Sequence, residues 1–203
     1  MAQRISSIRR RIVTLALVWC ALSTPAAATP IEQVKETMDQ VQGIVRESPS
    51  GSDSYKNGRR ELLMAILAAR FDFREMAMRS LGQHWGRLAE RQQEFVSVFK
   101  KFVENSYLSK FESLKEAKVV YLREHVDSNL ARIDTKIVPD RGDDIPIHYS
   151  LHLVGSEWKI YDVVVENISL VGNFRSQFYR VLATATFDDL LKKLQQKTSA
   201  RGG

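Results

Sequence analysis

The 203-residue chain contains a single cysteine, Cys20, and it lies in an apolar N-terminal stretch that reads as an export signal. Once that stretch is removed no thiol remains, which excludes disulfides, thiolate nucleophiles and thiolate metal sites. There is no Gly-rich phosphate loop, nucleophile elbow or metalloprotease helix. Internal repeats are absent. After residue 28 no apolar run approaches the roughly 20 residues needed to span a bilayer. Excess charge is also scarce. The formal net charge is +6, but Arg4, Arg9, Arg10 and Arg11 belong to the signal, which has no acidic residue. The remainder carries 26 basic against 24 acidic residues, a net of +2. The high isoelectric point is therefore no sign of nucleic-acid binding.

What is present at the N-terminus is a positive region followed by the apolar stretch 12–22, too short to cross a membrane. Ala26, Ala27 and Ala28 supply the small residues of a cleavage site. Residues 1–28 are thus expected to be a signal peptide cleaved after Ala28, with periplasmic localisation. Residues 29–203 have the length of one domain with a real core.

Apolar spacing predicts a helix over 31–46, with Ile31, Val34, Met38, Val41 and Val45 on one stripe. Residues 48–54, rich in Ser with Pro49 and Gly51, read as a connector. A second helix is expected over 55–69, and Asp72 is placed to cap a third ending near Leu81. The longest helix is expected over 89–116, its broad apolar face built on Phe95, Val98, Phe99, Phe102, Val103, Leu108 and Phe111.

From Ala117 the period becomes strand-like. Val119 and Tyr121, then Ala131, Ile133, Thr135 and Ile137, predict two strands joined near residues 127–129, and 139–144 is a strong turn signal. Next, Ile145, Ile147, Tyr149, Leu151 and Leu153 alternate with Pro146, His148, Ser150 and His152. Strict alternation through 158–166 puts Trp158, Ile160, Asp162, Val164 and Glu166 on one face, and Lys159, Tyr161, Val163 and Val165 on the other. Both faces then need cover. Helices over 169–182 and 187–195 close the chain. Helices, a four-stranded curved antiparallel meander and helices again define an α+β fold.

Chemistry-bearing residues are sparse. His148 and His152 share a strand face but lie roughly 13 Å apart at about 3.3 Å per residue. One metal ion cannot bind both at bonds of about 2 Å. Asp162 and Glu166 have the same spacing and cannot pair as acid and base. The pattern predicts no catalytic residue, no metal and no cofactor. The enzyme alternative, a small isomerase acting on an apolar substrate, would need Tyr149 or Asp162 inside a pocket with a shifted pKa.

The segment 161–178 carries a family resemblance. Tyr161-Asp162-Val163, Val165-Glu166, Ile168-Ser169-Leu170-Val171, Asn173 and Arg175-Ser176-Gln177-Phe178 resemble the signature of the MlaC family, also called toluene-tolerance auxiliary proteins. Phe71-Asp72-Phe73, Met76-Ala77, Leu81-Gly82 and Trp85 match the family's helical block upstream. Asn167 stands where the family usually has glycine; asparagine is the next best residue for a left-handed backbone.

The resemblance implies a carrier of phospholipid in the Mla (maintenance of lipid asymmetry) system, working beside membranes. Its implied partners are an inner-membrane ABC transporter and an outer-membrane lipoprotein complex. It also implies an apolar cavity between sheet and helices that holds acyl chains; a hopanoid-associated cargo is the alternative within the family. On that view the candidate pocket residues are Phe99, Phe102, Val103, Tyr107, Phe111, Ile147, Tyr149, Leu151, Tyr161, Val163, Val165, Leu170, Phe174 and Phe178. Asn173 and Arg175 are candidates for partner or headgroup contact, Arg175 equally for pairing with Asp162 or Glu166.

Overall fold

The computed structural model describes residues 28–46, 53–112, 115 and 117–199. All but the last residue of the expected signal peptide, and most of the expected connector, lie outside them. Helix α1 (Pro30–Arg46) starts with Pro30 in the first turn and a reciprocal cap. The Thr29 amide donates to Glu32 Oε2 at 2.8 Å and the Glu32 amide to Thr29 Oγ1 at 3.3 Å, satisfying two otherwise orphaned donors. Helix α2 (Asp53–Arg70) follows. Helix α3 (Phe73–Leu81) is capped by Asp72, whose Oδ1 accepts from the Glu75 amide at 2.9 Å.

A 3-10 segment, Gly82–Arg91, precedes α4 (Gln92–Glu112), the longest helix among the described residues. The long helix was expected to begin at Ala89. That residue instead adopts φ +40°, outside the helical region, so regular α-structure starts three residues later.

The sheet is antiparallel and ordered by sequence: β1 (Lys118–Asp127), β2 (Leu130–Val138), β3 (Ile145–Val154), β4 (Glu157–Val165) and β5 (Ile168–Ser169). The fifth strand, absent from the sequence-based expectation, is two residues long and forms because the chain reverses at Glu166 (φ +49°) and Asn167 (φ +68°). Helices α5 (Leu170–Leu182) and α6 (Phe187–Ser199) complete an α+β fold.

Two register shifts shape the sheet. On β1, Tyr121 pairs with Thr135 but Arg123 pairs with Asp134, leaving Leu122 as an extra residue. On β4, Leu151 pairs with Ile160 but Ser150 pairs with Asp162, leaving Tyr161 as the extra residue. A bulge reverses the alternation beyond it. Trp158, Ile160, Val163 and Val165 therefore share one face with Leu151, Tyr149 and Ile147. Lys159, Asp162 and Val164 share the other with His152, Ser150 and His148. This corrects the expected facing of β4: the strand is not apolar on both sides.

Among the described residues three apolar clusters form the interior. Val34 and Met38 of α1 pack on the core face of the sheet against Ala131, Ile133, Ile147, Tyr149, Leu151, Trp158 and Ile160. Val41 and Val45 meet Leu63 and Leu67 of α2. A larger cluster joins α3, α4, α5 and α6 through Met76, Leu81, Phe95, Phe99, Phe174, Phe178 and Leu190. Phe71, bridged to Ile160, packs against all three.

Candidate functional site

The predicted pocket residues divide between two of these layers. Phe99, Phe102, Val103, Tyr107, Tyr161, Leu170, Phe174 and Phe178 belong to the helical cluster. Ile147, Tyr149, Leu151 and Val163 belong to the sheet–α1 layer. Val165 is exposed at the end of β4, and the Phe111 side chain lies outside the described residues. Among the described residues, Phe71 packs against both sets.

The helical set is densely stacked. Ring centroids of Phe99 and Phe174 are 5.3 Å apart, Phe102 and Phe174 5.6 Å, Phe95 and Phe178 5.8 Å, and Tyr107 and Phe174 6.4 Å. These separations suit edge-to-face and offset contacts, so the rings fill the space between their helices. Instead of a preformed hollow, the described residues show apolar layers closed on one another. Among the described residues, one surface depression lies on α6, lined by Lys192, Gln195, Gln196 and Ser199, and another between α1 and α2, lined by Glu36, Thr37, Gln40, Ala65, Ile66, Ala69 and Arg70. Neither involves the predicted pocket residues.

The sheet–α1 layer is apolar but contains a small polar island. Thr135, which is buried, donates to the Ile147 carbonyl at 3.1 Å. Burial pushes the Tyr149 phenol up to about 12, against a smaller opposing effect of its hydrogen bond with Thr135. Burial, the nearby Tyr149 phenol and Asp39 also raise the Tyr121 phenol. Sequence reasoning did not single out Tyr121; its polarity among apolar neighbours was the available signal.

Arg70 was also missed. Its guanidinium donates to Thr37 Oγ1 at 2.9 Å, to Gln33 Oε1 at 2.6 Å and to the Trp158 carbonyl at 2.8 Å. Burial lowers its pKa, with Glu157 and Glu36 opposing that effect. This side chain ties α1 and α2 to β4 at the rim of the layer.

The residues nominated for chemistry are committed elsewhere. Asp162 Oδ1 accepts from the Val171 amide at 3.0 Å and Oδ2 from the Ser169 hydroxyl at 2.6 Å, which joins β4 to the start of α5. Ser169 in turn caps α5 by accepting from the Gly172 amide. Arg175 pairs with neither Asp162 nor Glu166; its Nε donates to the Arg79 carbonyl at 2.8 Å. Asn173 accepts from Gln177 on the same helix. His148 contacts Asp134 at 2.8 Å and His152 contacts Asp72 at 3.0 Å, on the face opposite α1. Among the described residues no group of three His, Cys, Asp or Glu side chains could hold a metal ion. None of their helices is long and apolar enough to cross a membrane.

Known proteins are similar to this chain in sequence and in fold. A toluene tolerance protein, ttg2D of Pseudomonas putida, is 27% identical over 175 residues, covering 85% of this chain and 81% of that protein. The structure of a phospholipid-binding protein from Ralstonia solanacearum, solved in complex with a phospholipid, aligns with a TM-score of 0.73 at 19% identity. The alignment covers 84% of this chain and 97% of that one, which establishes the common fold. A family model described as MlaC protein matches residues 35–196, and with both signature blocks falling inside that match, the chain belongs to the MlaC family.

Proposed function

We propose that this protein is a periplasmic phospholipid carrier that passes lipid between an outer-membrane lipoprotein complex and an inner-membrane Mla-type ABC transporter. The observation that supports it most is family membership together with a fold shared with a phospholipid complex. The expected export signal supports the compartment.

The physics of the cargo explains the construction. Two acyl tails hold on the order of 30 methylenes, each worth about 0.8 kcal/mol on leaving water. Leaving them exposed would cost roughly 25 kcal/mol, so an open surface patch cannot ferry them. Between apolar layers, transfer from a bilayer is nearly neutral, and exchange runs either way until a partner imposes direction. Among the described residues the apolar layers lie closed on one another. Loading therefore parts the core face of the sheet from α1 and the helices beyond it, with Ile147, Tyr149, Leu151 and Val163 as one wall. No catalytic group is needed: Tyr149 stays protonated, and Asp162 is occupied as a cap.

Native mass spectrometry of protein purified from cells, and again after incubation with phospholipid vesicles, tests this. A mass increment equal to one phospholipid is expected. Protein that stays lipid-free in both preparations would overturn the carrier reading; extraction of a polycyclic lipid would keep the carrier and change its cargo.

A further inference from the structure

The core face of the sheet carries three hydroxyls where a purely hydrocarbon-lined layer would need none. Tyr121 pairs directly across from Thr135, and Thr135 directly across from Ile147. Tyr149 lies two residues along β3. Around them are Ile133, Ile137, Ile145 and Met38. Thr135 donates to a backbone carbonyl and bonds Tyr149. The Tyr121 hydroxyl is shielded from solvent and has no hydrogen-bond partner among the described residues. A phenylalanine would fill the same volume without that penalty, because a buried unpaired hydroxyl is unfavourable. An unpaired donor at a mainly apolar surface is suited to a ligand that brings its own acceptor.

We propose that the Tyr121 hydroxyl donates a hydrogen bond to an acceptor oxygen at the head end of the bound lipid, an ester carbonyl or a phosphate oxygen, and so fixes how deep the tails run. The inference rests on the carrier reading and adds a positioning residue to it. Burial holds the Tyr121 phenol protonated well past neutral pH, which keeps it a donor. Thr135 is already bonded to the Ile147 carbonyl and to Tyr149, leaving Tyr121 as the available group of the three.

The test compares wild type with Tyr121→Phe, each loaded from vesicles of an ester-linked phosphatidylcholine and of its ether-linked analogue, and follows lipid retention during dilution. Because the hydroxyl is unpaired in the closed state, the variant should fold with unchanged or higher stability. It should nevertheless retain the ester lipid about tenfold less well, the equivalent of one hydrogen bond. A deficit for both lipids assigns the phosphate; a deficit for the ester lipid alone assigns the carbonyl. Equal retention by variant and wild type overturns the proposal while the carrier reading stands. Failure of the variant to fold also overturns it, since the hydroxyl would then be employed without lipid. If wild type takes up neither lipid, both readings fall.

Discussion

Asp72 holds His152 at 3.0 Å through one carboxylate oxygen while the other caps α3. Its amide also donates to the Ile160 carbonyl at 2.8 Å. One residue thus fastens the start of α3 to both β3 and β4. Asparagine caps helices as well as aspartate does, but alanine does not. Asp72→Asn should stay within about 0.5 kcal/mol of wild type in urea unfolding, and Asp72→Ala should lose about 1–2 kcal/mol. Equal losses would show that the contact with His152, not the cap, is what matters.

Arg70 makes a second fastening. Replacing it with methionine keeps most of the aliphatic volume but removes donors to Thr37, Gln33 and Trp158. Since hydrogen bonds involving a charged group are worth about 1.5–3 kcal/mol, Arg70→Met should cost about 2–4 kcal/mol in chemical denaturation. A loss below about 0.5 kcal/mol would show the network to be dispensable.

The buried phenols set an alkaline limit. Tyr149 is pushed up to about 12 and Tyr121 is raised as well, each mainly by burial. A folded-state pKa above the unfolded value gives stability that is complete below about 10 and is lost as pH rises toward the folded value. Melting temperature should therefore fall between pH 10 and 12, and the fall should shrink in Tyr149→Phe. An unchanged slope in that variant would contradict the assignment.

The β4 bulge has a direct spectroscopic readout. Cross-strand nuclear Overhauser effects should connect Leu151 with Ile160 and Tyr149 with Val163. Contacts placing Leu151 opposite Tyr161 would restore the regular register and undo the facing described above.

Much of the fold is legible in the sequence because its signals are local. The cap at Asp72, the turn at 139–144, the alternation of Ile145 to Leu153 and the left-handed Asn167 each follow from one residue type in one place. The facing of β4 is not local. In a run as apolar as Ile160 to Val165 a bulge leaves only one trace, the spacing of three between Ile160 and Val163 where two is the rule. The short β5 depends on pairing with Val164 and Val165, which no propensity reports.

The candidate site was legible as composition but not as arrangement. Phe99, Phe174 and Phe178 are as apolar as Ile147 and Leu151, and nothing in their periodicity says that the first set packs among helices and the second beneath α1. Arg70 ends a helix like any surface arginine until the fold brings Gln33 and Trp158 to it. Tyr121 looks like any strand aromatic until its hydroxyl is found unpaired.

Where the tails lie is the most direct question for this protein. A phospholipid carrying a photoreactive diazirine at the end of one tail, loaded and irradiated, would mark the residues beside it. Crosslinks are expected on α1 and on the core faces of β2, β3 and β4 at the end away from Tyr121, around Val34, Ala131, Leu151 and Ile160. Crosslinks confined to exposed apolar residues such as Leu62, Leu122 and Ile168 would contradict an interior that opens for lipid.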